Sequence, residues 1–315
     1  MKNKIIFGMG LALATAWAQA NTPLPDFTPP AQGQQVVINI PQLKLFLYQD
    51  GRLLKSYSVA VGKNQTRTPI GDYKIGAKAY NPTWHVPLSI RKGPDGKRLT
   101  VPPGPNNPLG PVFVRMGDPK LGLGIHGTNA PASVPGVRSH GCVRMHNANA
   151  LEFAKSVKSG ADAAVIYQMA SLNADEADHL WLAAYRDPYV QKNLDRSALQ
   201  SSIEQWAGSN QLSVQQARVD AVLKARSGRL VCITCSGQQN KVKGSLRALS
   251  WENGSGTLIE PAPVFDVPMA EEDVVLPMGS GVEVAVDALP VADTGGSSLV
   301  PLRARERPLL PVNVH

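Results

Sequence analysis

The feature that most limits what this chain can fold into is a pair of apolar stretches hinged on Asp50-Gly51. Val36-Val37-Ile38-Asn39-Ile40 and then Leu43-Lys44-Leu45-Phe46-Leu47-Tyr48 read as strand, and a period of two puts Leu43, Leu45 and Leu47 on one face. Asp-Gly suits the positive φ angles of a two-residue type I′ turn, so Leu53 to Val61 is predicted to return alongside as the second arm of a hairpin. Further strand signals lie at Gly71 to Ala77, Val112-Phe113-Val114-Arg115, Gly124-Ile125-His126 and Ala163 to Tyr167. Between Ala77 and Pro111 the chain is rich in Pro and Gly, including Pro102-Pro103-Gly104-Pro105 and Asn107-Pro108, and reads as loops over a β scaffold. Asn147 to Val157 reads as a short helix with Asn147 as its candidate cap. Residues 35–168 are therefore predicted to form one mainly β domain.

The flanks read differently. Lys2 and Lys4 precede an apolar run from Ile5 to Trp17 and the small-x-small triplet Ala18-Gln19-Ala20, the pattern of a secretory signal peptide over residues 1–20. A membrane anchor is the competing reading, but the run is well short of the roughly 20 residues needed to span a bilayer. No later segment is long and apolar enough to do so, and a periplasmic location is expected. Residues 21–34 form a Pro-rich linker. Residues 169–235 look mainly helical, with Trp181, Leu182, Tyr185, Tyr189 and Leu194 spaced as an amphipathic face. Residues 236–315 have scattered Pro, Gly and acidic residues with little periodicity, and read as a disordered tail.

A hydrophobic content of 43% suffices for an ordinary core, and the net charge of +8 is uneven. Residues 1–235 hold 26 Lys+Arg against 14 Asp+Glu, whereas 236–315 hold 6 against 10. In an exported protein a basic body is better matched to an anionic polymer or to cell-wall carboxylates than to nucleic acid.

Three cysteines in an oxidising compartment leave an odd thiol. Cys232 and Cys235 lie close together, and a local structural disulfide is favoured over redox work because no thioredoxin-like pattern surrounds them. Cys142 is then the odd one. It lies in Ser139-His140-Gly141-Cys142-Val143-Arg144-Met145-His146, downstream of His126-Gly127-Thr128-Asn129, and this window holds three of the six histidines. A thiol near pKa 8.5 is mostly protonated at neutral pH, so a cysteine nucleophile needs a base or a positive charge beside it. His126, His140 and Arg144 all offer that help, and by residue type either histidine can be the base. Gly141 permits close backbone approach, the N–H groups around Cys142 can serve as oxyanion donors, and Arg144 can grip a substrate carboxylate. His126, His140, Cys142 and His146 are also zinc ligands by type, but their spacing matches no common structural zinc pattern. An inert buried cysteine would explain Cys142 alone, not the Ser, His, Gly and Arg gathered around it.

His126-Gly127-Thr128-Asn129 followed by Ser139-His140-Gly141-Cys142-Val143-Arg144-Met145 resembles the signature of the L,D-transpeptidase catalytic domain, or YkuD domain. The resemblance extends over roughly residues 35–168, taking in Thr68-Pro69-Ile70-Gly71 and Val101-Pro102-Pro103-Gly104-Pro105-Asn106-Asn107-Pro108. A weaker one at Ala221 to Thr234, with Lys224-Ala225-Arg226-Ser227-Gly228, is to periplasmic members that join an outer-membrane lipoprotein to peptidoglycan. It implies a β-sandwich catalytic domain with a short helix, no cofactor and no metal. Cys142 would be the acylated nucleophile, His126 the general base and acid, and the Gly127 carbonyl the group orienting the imidazole. The backbone of His140, Gly141 and Cys142 would form the oxyanion hole, with Ser139, His140 and Arg144 shaping the site. The implied substrate is the tetrapeptide stem of peptidoglycan, with an outer-membrane lipoprotein as one candidate acceptor. Two rivals remain in view: an L,D-carboxypeptidase or endopeptidase that uses water as acceptor, and a non-catalytic wall-binding protein.

Overall fold

The computed structural model describes residues 22–86, 99–237 and 241–251. The expected leader at 1–20 and the expected tail beyond Trp251 lie outside the described residues.

The first strands are β1 (Gln34–Asn39), β2 (Lys44–Gln49), β3 (Arg52–Ser58), β4 (Ala60–Gly62) and β5 (Gly71–Tyr80). The β2–β3 hairpin turns through Asp50 at φ 49° and Gly51 at φ 75°, as the sequence predicts for a type I′ turn. The predicted return strand from Leu53 to Val61 is broken at Val59, whose N–H donates to the Leu43 carbonyl at 3.0 Å, so β4 leaves to join the far end of the sheet. Within the Pro- and Gly-rich stretch, β6 (Trp84–His85) and β7 (Thr100–Val101) make a small two-stranded ribbon. Then follow β8 (Val112–Met116), β9 (Gly124–His126), β10 (Gly136–Ser139), β11 (Val143–Arg144), helix α1 (Asn147–Ser156) and β12 (Asp162–Ile166).

Ten of these strands form one sheet in the order β10-β4-β11-β9-β8-β5-β12-β1-β2-β3. Its first half of β5 pairs with β12 and its second half with β8, with a register irregularity between Ile75 and Lys78. One long strand therefore belongs to both halves, and the sheet curls over it. Val36, Ile38, Leu45 and Leu47 from one half meet Val112, Val114, Met116, Ile125 and Val143 from the other, with Phe153 and Ala154 of α1 completing the core. The sandwich is thus a single sheet folded on itself. Each aliphatic side chain removed from water there contributes roughly 1.5–3 kcal/mol.

Asn147 does not cap α1. His146 occupies the cap position without a side-chain bond, and Asn147 Oδ1 instead accepts from the Thr128 N–H at 2.7 Å, tying the helix to the loop after β9.

Residues after Tyr167 are less helical than the sequence pattern suggests. Two helices, α2 (Arg196–Ser209) and α3 (Gln216–Ala225), accompany a four-stranded sheet of β13 (Ala170–Ala174), β14 (Leu180–Ala184), β15 (Val231–Cys232) and β16 (Arg247–Ala248), ordered β15-β14-β13-β16. Trp181 and Leu182 are in strand, not helix. Leu180, Leu182 and Ala184 face the helices, and Trp181 packs on the other side against Cys232 and Cys235. A strand buried on both faces is a continuous apolar run, which periodicity cannot tell from a buried helix. This sheet also extends past residue 235, through β16 to buried Trp251. The Pro-rich lead is docked too. Leu24 exchanges two bonds with the Asn173 side chain and Asp26 exchanges two with the Gln168 side chain, while Leu24 and Phe27 pack on the outer face of β1, β2 and β12.

Candidate active site

Strands β8, β9 and β11 are neighbours, and alternation gives each one apolar and one chemical face. Val112, Val114, Met116, Ile125 and Val143 point into the core. The opposite face carries Phe113 and Arg115 from β8, Gly124 and His126 from β9, and Arg144 from β11. Registers align them: Phe113 is opposite His126, Arg115 opposite Gly124, and His126 opposite Arg144 in the parallel β9–β11 pair. Cys142 lies just before β11, two residues ahead of Arg144, and adjacent strands run roughly 4.8 Å apart, so its backbone lies diagonal to that of His126.

His126 is buried, with 4% of its surface exposed. Its Nδ1 lies 2.6 Å from the Gly127 carbonyl, so Nδ1 carries the hydrogen and Nε2 keeps the lone pair. The ring stacks on Phe113 with centroids 6.1 Å apart. Burial, followed by the charge of Arg144, pushes its pKa down to about 4, against the opposing pull of the Gly127 and Leu109 carbonyls. At neutral pH the imidazole is therefore an uncharged base.

Cys142 is the free cysteine, and Cys232 and Cys235 are disulfide-bonded. The Cys142 thiol donates to the Gly122 carbonyl at 3.4 Å. Burial pushes its pKa up, offset in part by the Gly124 amide and the charges of Arg144 and Arg115. A raised thiol and a lowered imidazole both favour the neutral forms at neutral pH. The pair is not a standing thiolate–imidazolium couple.

Arg144 is partly buried, and its Nε is buried with no hydrogen-bond partner among the described residues. Ser139 is buried; its hydroxyl donates to the Cys142 carbonyl at 2.5 Å and accepts from the Gly141 N–H at 3.2 Å. Of the three candidate oxyanion donors, Gly141 is therefore already engaged, which leaves the N–H groups of His140 and Cys142. Gly141 itself sits at φ 118°, a conformation disfavoured for a residue with a side chain. The His140 side chain is exposed, and its pKa is lowered by desolvation and then by Lys63 and Arg144. Among the described residues no three His, Cys, Asp or Glu side chains gather as metal ligands, so His126, His140, Cys142 and His146 are not brought together as a set. A cavity of about 220 Å³ opens beside the Gly127-Thr128 turn, lined by Asn81, Gly104, Pro105, Gly110, Pro111, Thr128 and Asn147.

Sequence reasoning missed three contributors. Arg115 is 5% exposed and places a cation beside the sulfur; a charged residue in phase with Phe113, opposite the apolar Val112 and Val114, was the available signal. Thr68 Oγ1 donates to the Gly141 carbonyl at 2.8 Å. Tyr189, from beyond the β domain, packs into the same core and bonds to Thr68. No local pattern announces either of the last two.

Residues 33–166 match the family model of the L,D-transpeptidase catalytic domain, YkuD. A Bacillus licheniformis protein named as the L,D-transpeptidase YkuD is 32% identical over 126 residues, which are 40% of this chain and 61% of the relative. The chain thus spans somewhat less than two thirds of that relative's length. The Escherichia coli protein ErfK/SrfK, named as an L,D-transpeptidase, is 24% identical over 245 residues, covering 74% of this chain and 77% of the relative. Among solved structures, the catalytic domain of an Enterococcus faecium L,D-transpeptidase aligns with 43% of this chain and 98% of its own length, at 20% identity and a TM-score of 0.34.

Proposed function

We propose, from the match of residues 33–166 to the family model of the YkuD L,D-transpeptidase catalytic domain, that the protein is a cysteine acyltransferase acting on the tetrapeptide stems of peptidoglycan in the periplasm. The observation that supports this reading most is the pairing of β9 with β11, which sets His126 opposite Arg144, the residue two after Cys142. In this reading Cys142 is the nucleophile, His126 the base and Arg144 the anion-binding side chain.

The sulfur of Cys142 attacks the carbonyl between the L-centre of meso-diaminopimelate and the terminal D-Ala. Nε2 of His126 takes the thiol proton as the C–S bond forms and delivers it to the departing D-Ala amine, leaving a thioester. An acceptor amine then attacks the thioester, gives its proton to His126, and the thiol is restored. The Gly127 carbonyl holds the imidazole in the tautomer that both proton transfers need. The N–H groups of His140 and Cys142 receive the oxyanion, and Ser139 braces the loop that presents them. Arg144, whose buried Nε lacks a partner among the described residues, holds a substrate carboxylate; a carboxylate there would supply a bond to the desolvated guanidinium. The acceptor is a second diaminopimelate, giving a 3→3 crosslink, or the lysine of an anchored outer-membrane lipoprotein. Among the described residues no helix is long and apolar enough to cross a membrane.

Incubation with disaccharide-tetrapeptide and mass analysis of the products tests the proposal. Release of D-Ala with crosslinked dimers is the expected result. Tripeptide monomers alone would replace transfer by hydrolysis, and unchanged substrate together with an unmodified Cys142 after carbapenem exposure would leave a wall-binding protein.

A further inference from the structure

We propose that Tyr189, which lies outside the matched catalytic domain, is a positioning residue that sets the Cys142 N–H as an oxyanion donor through Thr68. The inference rests on the acyl-transfer reading above.

The chain of bonds is closed at every atom. The Tyr189 hydroxyl accepts from the Thr68 N–H at 3.0 Å and donates to the Gly62 carbonyl at 3.0 Å. Gly62 in turn donates its N–H to Thr68 Oγ1 at 2.9 Å, so the Thr68 hydroxyl hydrogen is directed at the Gly141 carbonyl, 2.8 Å away. That carbonyl and the Cys142 N–H belong to one planar peptide and point in opposite directions. Holding one end therefore aims the other. A flip of this peptide would break the Thr68 bond and turn the Cys142 N–H away from the nucleophile's own face.

The clamp is rigid for physical reasons. Thr68 is 1% and Tyr189 2% exposed, so water cannot replace a lost bond. A Cβ at Gly62 would lie 2.1 Å from the Thr66 carbonyl oxygen and 2.6 Å from the Thr68 nitrogen, so the turn closes this tightly only with glycine. Tyr189 is itself held from behind. Its N–H donates to the Tyr167 hydroxyl at 2.9 Å, its ring stacks on Tyr167 with centroids 5.6 Å apart, and the Arg67 guanidinium covers it at 5.2 Å. The Tyr167 hydroxyl donates to Asp187, whose carboxylate also accepts the N–H groups of Gln191 and Lys192 at 2.9 and 2.7 Å. The connection between the two sheets is thereby ordered around Tyr189, which meets the loop of Cys142 through Thr68.

The test compares two reactions of the same thiol in the purified full chain. Alkylation by iodoacetamide needs the sulfur but no oxyanion donor, whereas acyl transfer from disaccharide-tetrapeptide needs both. Tyr189→Phe keeps both ring contacts and removes only the hydroxyl. It is expected to lower kcat for acyl transfer by roughly tenfold or more, a fraction of what loss of one oxyanion donor costs, with the alkylation rate and its pH profile unchanged. Thr68→Val should reproduce the loss, Thr68→Ser should restore activity, and the Tyr189→Phe/Thr68→Val pair should be no worse than Thr68→Val alone. Equal acyl transfer by wild type and Tyr189→Phe would overturn the inference, as would parallel falls in alkylation and transfer or failure of Thr68→Ser to rescue. A wild-type protein that alkylates but transfers no acyl group would instead overturn the reading on which the inference rests.

Discussion

Two cysteine-bearing turns, one around Cys142 and one at Cys232 to Cys235, contain similar residues put to different use. Each has an arginine close by. At the second turn Arg218 donates to the carbonyls of Cys232, Cys235 and Gly237, and the sulfurs are bonded to each other in an apolar nest with Trp181 and Val242. At the first, Arg144 keeps a buried Nε without a partner among the described residues, the thiol lies among the charges of Arg144 and Arg115, and the neutral imidazole of His126 stands opposite Arg144. On the proposed function, what separates the structural cysteines from the reactive one is whether the surrounding donors are already satisfied. Satisfied donors stiffen a turn, and unsatisfied ones wait for a ligand.

The comparison breaks most sharply at the sulfur. Cys142→Ala should lower acyl transfer by about 10⁶-fold, the scale of losing a covalent nucleophile, and abolish the acyl-enzyme mass shift. Substituting Cys232 and Cys235 together by Ser should leave that adduct intact. An adduct surviving Cys142→Ala would assign the chemistry to the wrong turn.

A smaller effect sharpens the role of the imidazole. His126→Gln should cost about 10²–10⁴-fold, as loss of a general base does. Because His126 is pushed down to about 4, it is neutral above that value, and in the wild type kcat/KM for acylation should rise through pH of about 4 and then level off. An acid limb centred on the usual histidine value would mean that the buried ring is not the base. A rate that keeps climbing into the alkaline range would mean that thiol ionisation, unaided by His126, limits the reaction.

The smallest effect is expected at the disulfide. It closes a very short loop, so in the chain-entropy picture its reduction costs at most about 2 kcal/mol of stability, read as a modest fall in Tm with the acylation rate unchanged. A large loss of activity on reduction would show that the second turn feeds the site.

Much of the β domain was legible because its signals are local. Asp50-Gly51 demands two positive φ angles, and the alternation in Val112 to Arg115 separates core from site. The second sheet was not legible. Leu180 to Ala184 is apolar on both faces, and such a run carries no period. Asn147 looked like a cap because its type suits one, yet its side chain found the Thr128 N–H across the fold instead. Arg115 could have been read from its phase with Phe113. Thr68 and Tyr189, 121 residues apart, could not.

The sequence by itself determined the inventory: one odd thiol, histidines clustered around it, a glycine where the backbone must turn sharply, and the apolar periods that force a sheet. These follow from residue type and short-range spacing. Only the tertiary structure decided which histidine stands opposite Arg144, that its imidazole is buried and uncharged, that the Gly141 N–H is already bonded to Ser139, and that a tyrosine from beyond the matched domain bonds to Thr68, which in turn holds the Gly141 carbonyl. Those outcomes depend on sheet register and on which polar groups water can no longer reach, and both are properties of the packed chain.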